Sequence, residues 1–328
     1  MTGSFRDRAR LMPWEVPIAA ATWARAQLAM GVAHILIGNN PPVIDRRGAS
    51  FEDDPGYFGP GSVTWRVHDD PCMLLGGLRA LMLQTMHPLA MAGVHQHSNY
   101  RADPLVRLAN TSVYVGTTIY GTRPQVEQAV AMVKRVHERV VGVTTDGRPY
   151  AANDPHLLTW VHHTLVDSFL RAYRRYGQAP LTDADADRYV AEQAVLADLF
   201  GAEPAARSVA ELRAWFLAER TELRATPEAR QAIRFLLAPP LPLVVRGPYA
   251  VVASAAVTML PRSVRRQLWL PVPPVVEPLV VRPAATALVR AVGWVMAGYP
   301  FESKDTRPAE LRPPPGGPHP GDPLEAAG

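Results

Sequence analysis

Cysteine is almost absent: Cys72 is the only one in 328 residues. That count excludes an internal disulfide, a zinc site built on thiolates and a cysteine-held iron–sulfur cluster, and it suits a reducing cytoplasm. Also missing is any run of basic residues interleaved with aromatics, the electrostatic footprint of a nucleic-acid binder. The net charge of +4 comes from an arginine excess spread along the whole chain. No Gly-rich phosphate loop, G-x-S-x-G elbow or H-E-x-x-H occurs, which removes the usual signals of nucleotide binding, serine hydrolysis and zincin chemistry. The opening stretch, MTGSFRDRARLMPWEVP, is charged and has no apolar h-region, so no secretory signal is read there. The longest apolar stretches, near Tyr249 to Leu260 and Ala284 to Ala297, fall short of the roughly 20 residues a spanning helix needs. They remain apolar enough to rest against a membrane surface. The expectation is a soluble cytoplasmic protein without a transmembrane segment or a nucleic-acid partner, its oligomeric state undetermined by sequence.

What is present points to helices. A chain with 48% hydrophobic residues buries a large core. Residues 1–65 read as an N-terminal extension with one helix near Pro17 to Met30, followed by turn-rich GNNPPVIDRRG and DDPGYFGPGS. From Asp70 onward the pattern is helical, each helix opened by proline chemistry: Asp70-Pro71, Asp103-Pro104, Arg123-Pro124, Asp154-Pro155 and Thr226-Pro227. Helices are expected over 182–201 and 207–225, and over 227–271 with interruptions at Pro239-Pro240, Pro242 and Pro248. A last apolar helix spans Ala284 to Ala297, and residues 301–328 form a flexible Pro-rich tail. Few segments alternate at strand period. The fold class is therefore all-α, with a single multi-helix domain over 66–300.

Histidine is scarce, 10 in the chain, and His87, His95, His97 and His137 crowd the span from Asp69 to His137. His137 recurs at helical spacing with Val126, Val130, Val133 and Val140. Burial on that stripe disfavours the charged ring and leaves a neutral imidazole. Such a ring is either a hydrogen-bonded core histidine or an axial ligand of haem iron, and His162 on its own helix presents the same pair of readings. His95 and His97, two apart, share a side only in extended chain. A non-haem iron triad of two histidines and a carboxylate from Asp69, Asp70 or Asp103 is a further alternative. Arg107 and Thr111, four apart, share a helix face, where they form either a surface pair or part of a pocket. Gly76-Gly77 inside a helix implies close approach of another helix or of a flat cofactor.

Two long runs carry a resemblance. HDDPCMLLGGLRALMLQTMHPLAMAGVHQHSNYRADPLVRLANTSVYVGTTIYG contains D-P-x-x-L-x-G-G-x-R-A-L-x-L-Q-x-x-H-P, and VKRVHERVVGVTTDGRPYAANDPHLLTWVHHTLVDSFLRAYRRYG contains D-G-x-x-Y-x-A-x-D-P-x-L-L-x-W-V-H. Over about residues 60–300 the chain resembles the catalytic domain shared by bacterial rubber oxygenases (latex clearing proteins) and the MpaB-type fungal oxygenase of mycophenolic acid biosynthesis. The resemblance implies a globin-like helical core that holds b-type haem through a histidine, and oxidative cleavage of an isoprenoid double bond with dioxygen. Rubber oxygenases carry an Arg-x-x-Lys-Thr motif, with the proximal histidine some thirty residues later. Arg107 and Thr111 match its ends here, Asn110 stands in place of the lysine, and His137 lies at the ligand's distance.

A distal lysine ligand therefore does not carry over, and no acidic residue occupies a convincing equivalent of the family's distal glutamate. His87, His95 or His97 would be left to handle protons. The expectation is a haem b oxidoreductase acting with dioxygen on a small apolar, isoprenoid- or lipid-like substrate. Its iron ligand is His137 or His162, its other site residues are Arg107, Thr111, His87 and His97, and its pocket is lined by residues such as Leu81, Met86 and Tyr114. The alternatives are a non-catalytic helical carrier of haem or an apolar ligand, and a non-haem iron enzyme.

Overall fold

The computed structural model describes residues 54–98 and 104–297, with the backbone course alone for 104–110. The helix expected over Pro17 to Met30, the cap Asp103 and the tail 301–328 lie outside the described residues. Among the described residues the chain forms twelve α-helices and one two-stranded antiparallel sheet, so the expected helical class holds with one addition. That hairpin pairs β1 (Val141–Val143) with β2 (Pro149–Ala151), Gly142 opposite Tyr150. It closes at the Asp146-Gly147 turn, where Gly147 takes φ +85, a conformation that glycine adopts without a steric penalty. Three-residue strands are too short for alternation to show in sequence.

The first helices are α1 (Val63–His68), α2 (Met73–Gln84), α3 (Pro88–His97), α4 (Pro104–Tyr120) and α5 (Arg123–His137). After the hairpin come α6 (Pro155–Tyr176), α7 (Asp183–Phe200) and α8 (Val209–Ala218), the last running into a tight turn over Glu219–Thr221. Then follow α9 (Pro227–Leu237), α10 (Leu243–Met259), α11 (Arg262–Gln267) and α12 (Arg282–Met296). Most start signals work as the sequence implies. Asp154 accepts from the amides of His156 at 3.0 Å and Leu157 at 3.1 Å, which satisfies two orphan donors at the head of α6. Thr122 and Gln125 form a capping box on α5, Thr182 and Asp185 another on α7.

Four expectations need correction. Asp70 does not cap α2, whose N-cap is Cys72; its carboxylate instead accepts from the amides of Cys72 at 2.9 Å and Gln178 at 2.8 Å, tying the α1–α2 turn to the end of α6. Pro248 lies inside α10 rather than interrupting it, because it sits early in the helix on an exposed face where water reaches the carbonyl it leaves unpaired. The helix expected over 207–225 ends at Ala218. The last apolar helix is longer than its apolar stretch: helical backbone runs from Glu277 to Met296, 20 residues of mean hydropathy 1.4, long and apolar enough to cross a membrane by length and composition. Val281, Ala285 and Val289, one stripe at i, i+4 and i+8, pack into the core and leave Leu279, Val280 and Trp294 exposed.

The centre of the fold is the contact of α2 with α6. A Cβ on Gly76 would lie 2.8 Å from Phe169 Cδ1 and 3.1 Å from the Ser168 carbonyl, so this glycine admits a helix. Three residues on, Arg79 is fully buried. Its guanidinium donates to Ser168 Oγ at 2.6 Å, Asp167 Oδ2 at 2.7 Å and the Met259 carbonyl at 3.0 Å, which clamps α2, α6 and α10 together. Burial alone would drive that charge out, and Asp167 holds it.

Candidate functional site

Histidines gather in two places. In the first, His87 is the N-cap of α3, held at φ −87 and ψ 115 ahead of Pro88, a geometry that turns its ring away from α3 and onto α6. It is 2% exposed, with its ring centroid 5.6 Å from that of Trp160 and 6.2 Å from that of His156. Burial, with His156 adding, pushes its pKa down to about 4, and its Nδ1 is buried with no hydrogen-bond partner. His156, in the first turn of α6, has Nδ1 3.0 Å from Glu203 Oε2 and Nε2 3.3 Å from Glu219 Oε2. Burial opposes its charge, but the two carboxylates outweigh burial and raise its pKa. One ligand atom from each of His87, His156 and Glu219 lies within 4.8 Å of the others.

The second place is the end of α5. Val126 and Val130 are buried as the stripe requires, while Val133 and His137 are half-buried. The His137 ring is held below its ordinary pKa by burial, with the Asn153 side chain opposing. Asn153 is fixed by donating from Nδ2 to the Lys134 carbonyl at 3.0 Å. Its Oδ1 and His137 Nδ1 are both buried and both lack a partner in hydrogen-bond geometry. On α6, burial pushes His162 down to about 3, with His163 adding. His163 itself is a core histidine: its Nε2 accepts from the Ala206 amide at 3.0 Å.

Helices α4 and α5 form an antiparallel pair, with Ile119 and Val126, and Val115 and Val130, in one apolar cluster. Arg107 and Asn110 lie in the first half of α4 and Thr111 near its middle. The Arg107 and Asn110 side chains lie outside the described residues, and Thr111 is exposed. Tyr114, half-buried, sets its ring edge-on to Phe200 at 6.2 Å, closing this region against the end of α7. Two of the expected pocket residues fall elsewhere than Tyr114: Leu81 is half-buried on α2, and Met86 is fully buried among Leu78, Met82 and Trp160. Met86 is part of the core there.

His97 closes α3 at the opposite end from His87, about 15 Å away at 1.5 Å per residue. It is exposed, its Nε2 3.1 Å from the Val141 carbonyl and 3.2 Å from the Tyr150 hydroxyl, so it binds the hairpin. The carboxylates expected in a non-haem triad are engaged otherwise: Asp69 Oδ1 accepts from the Tyr120 hydroxyl at 2.8 Å, Asp70 holds the two amides already described, and Asp103 lies outside the described residues. The set that does assemble, His87 with His156 and Glu219, escaped sequence reading except for His87. Its members come from three elements far apart in the chain, and no local spacing signals them. The Asp154-Pro155-His156 cap was legible, but not where its histidine would point.

A cavity of about 1010 Å³ opens beside α6, α8, α10 and α11. Its floor is apolar, including Leu83, Leu170, Leu212 and Met259, and its rim carries arginines such as Arg213 and Arg262. No histidine lines it. Comparison with known proteins gives one match: residues 65–294 fit the family described as "ER-bound oxygenase mpaB/B'/Rubber oxygenase, catalytic domain". No curated protein and no solved structure matches.

Proposed function

We propose, from the premise that this chain belongs to the family of MpaB and rubber oxygenase catalytic domains, that it is a haem b oxidoreductase using dioxygen on an apolar, isoprenoid- or lipid-like substrate. The observation that carries the haem assignment is the pair of unsatisfied buried atoms, His137 Nδ1 and Asn153 Oδ1. A ligating histidine almost always donates its other ring N–H to an oxygen acceptor, which fixes the tautomer and makes the ligating nitrogen more basic. A small closure between these two side chains makes that bond, directs the Nδ1 proton to Asn153 and leaves Nε2 with its lone pair free. Burial keeps the ring neutral, as an axial donor must be. His162 is also pushed toward the neutral form, but among the described residues it has no buried unpartnered nitrogen as His137 does, so His137 is the assigned ligand and His162 the alternative.

When bound, a haem supplies the redox centre that activates dioxygen. The residues of the chain hold it and shape its surroundings. His137 would hold it through its free ring nitrogen, and Asn153 would orient that ring. Arg107 would meet a propionate, as the family resemblance implies, and Thr111, one turn further along the same face, would offer a hydroxyl to the reacting side. With Asn110 at the position of the family's lysine, that position offers no side-chain amine. The exposed Leu279, Val280 and Trp294 of the last helix favour a lipid-like substrate, taken up from solution or at a membrane surface. A cytoplasmic location belongs to the same proposal and rests on the lone, buried Cys72.

The test is a pyridine haemochrome measurement on the purified protein and on His137→Ala and His162→Ala, together with oxygen uptake in the presence of an alkene. A Soret band and alkene-dependent uptake in the wild type, with haem lost from His137→Ala alone, are expected. Full haem in His137→Ala with loss in His162→Ala moves the ligand to α6, and a colourless wild type that takes up no haem overturns the proposal.

A further inference from the structure

We propose that His87, His156 and Glu219 form a second metal site, separate from the haem assignment and independent of it, that binds one first-row divalent transition-metal ion. The three donors converge from the N-cap of α3, the first turn of α6 and the tight turn after α8, with one ligand atom of each inside a 4.8 Å circle. His156 already has the arrangement of a metal ligand with its supporting carboxylate. Nδ1 lies 3.0 Å from Glu203 Oε2, so its proton points to Glu203 and Nε2 faces inward, 3.3 Å from Glu219 Oε2.

A lone pair on Nε2 and a carboxylate oxygen at that separation repel unless a cation lies between them. Donor atoms bound at about 2.1 Å stand about 3.0 to 3.4 Å apart in octahedral or tetrahedral shells, the spacing of the His156–Glu219 pair at 3.3 Å, with a His87 nitrogen within 4.8 Å of both. A proton on Nε2 would also explain the His156–Glu219 contact. It would not explain His87, which brings one ring nitrogen within 4.8 Å of both and whose Nδ1 is buried with no hydrogen-bond partner. A metal ion satisfies both.

The donor set fixes the class of ion. Two imidazoles and one carboxylate, with no thiolate, suit iron(II), zinc, cobalt or manganese rather than calcium or magnesium, which take oxygen donors. His156 is half-exposed, so water reaches the site and fills the remaining coordination positions. The ion would also tie α3, α6 and the end of α8 together across the same face.

The experiment uses the full chain, stripped with a chelator and titrated with cobalt(II) by visible absorption and with zinc by calorimetry, with haem content measured in the same samples. One equivalent of cobalt per chain with a ligand-field band is expected. Binding should be weakened more than 100-fold in His156→Gln and Glu219→Gln, and about 10- to 100-fold in Glu203→Gln, the supporting carboxylate. Glu219→Gln keeps side-chain size, so it reads out the site even where a His87 variant fails to fold. Equal binding by wild type and Glu219→Gln, or no stoichiometric binding by the wild type, overturns the site. Haem loss in His156→Gln with His137→Ala unaffected would give the cluster to the porphyrin and overturn it as a separate ion site.

Discussion

The two histidine regions use the same donor against opposite backgrounds. At the end of α5 the neighbour of His137 is a neutral amide, Asn153, and burial holds the ring below its ordinary pKa. At the head of α6 the partners of His156 are two carboxylates, which raise its pKa against burial. The difference is one of charge balance. A porphyrin brings two negative charges with its iron and asks the protein only for a neutral nitrogen, whereas a bare divalent ion needs protein carboxylates to neutralise it. Identical side chains thus become suited to different cofactors through their second neighbours.

The largest expected effect is on the fold that carries both regions. Arg79 clamps α2, α6 and α10 at the centre of the fold, so Arg79→Ala leaves Ser168 Oγ and the Met259 carbonyl without their donor and Asp167 with Arg171 alone, and should cost about 3 to 5 kcal/mol, read as a shift in the urea midpoint. Retention of either site at a lowered midpoint would show that it does not depend on that clamp. Next comes Asn153→Leu, which removes only the acceptor beside His137. Haem retention should fall about 10- to 100-fold in a haem-transfer assay, while cobalt binding at His156 stays unchanged. Gly76→Ala forces a Cβ against Phe169 and Ser168 and should cost about 1 to 3 kcal/mol, measured by thermal melting, with both sites still loaded.

The smallest effect is on acid stability. His68, on α1, has its Nε2 3.1 Å from the Tyr189 hydroxyl and is pushed by burial down to about 3. The unfolded chain takes up this proton near the ordinary value of about 6.5 while the folded one refuses it. The stabilisation is therefore complete above about 6.5 and drains away as pH falls toward 3. The melting temperature should drop across that window, less steeply in His68→Gln. An equal slope in the variant would place the acid sensitivity elsewhere.

How much of this was legible in the sequence follows from range. The starts of α5, α6, α7 and α9 were readable because caps and first-turn prolines act within four residues. The burial of Val126 and Val130 was readable because helical period is local too, but the stripe says nothing of its neighbours, and the drift of Val133 and His137 toward the surface follows from what packs there. Pro248 misled because a proline ends a helix only where the bond it removes would have mattered. The carboxylate-supported cluster was illegible beyond His87, since His156, Glu203 and Glu219 meet only after α6 and α8 have packed. The family resemblance, carried by two long runs, reached further than any single residue pattern and still left the ligand unassigned between α5 and α6.

The central claim, that His137 is the axial ligand, is tested most directly by cavity rescue. In His137→Gly, haem binding should be lost and then restored by added imidazole, with the wild-type Soret position recovered and no such response in His162→Gly. A His137→Gly protein that keeps its haem and spectrum without imidazole would contradict it.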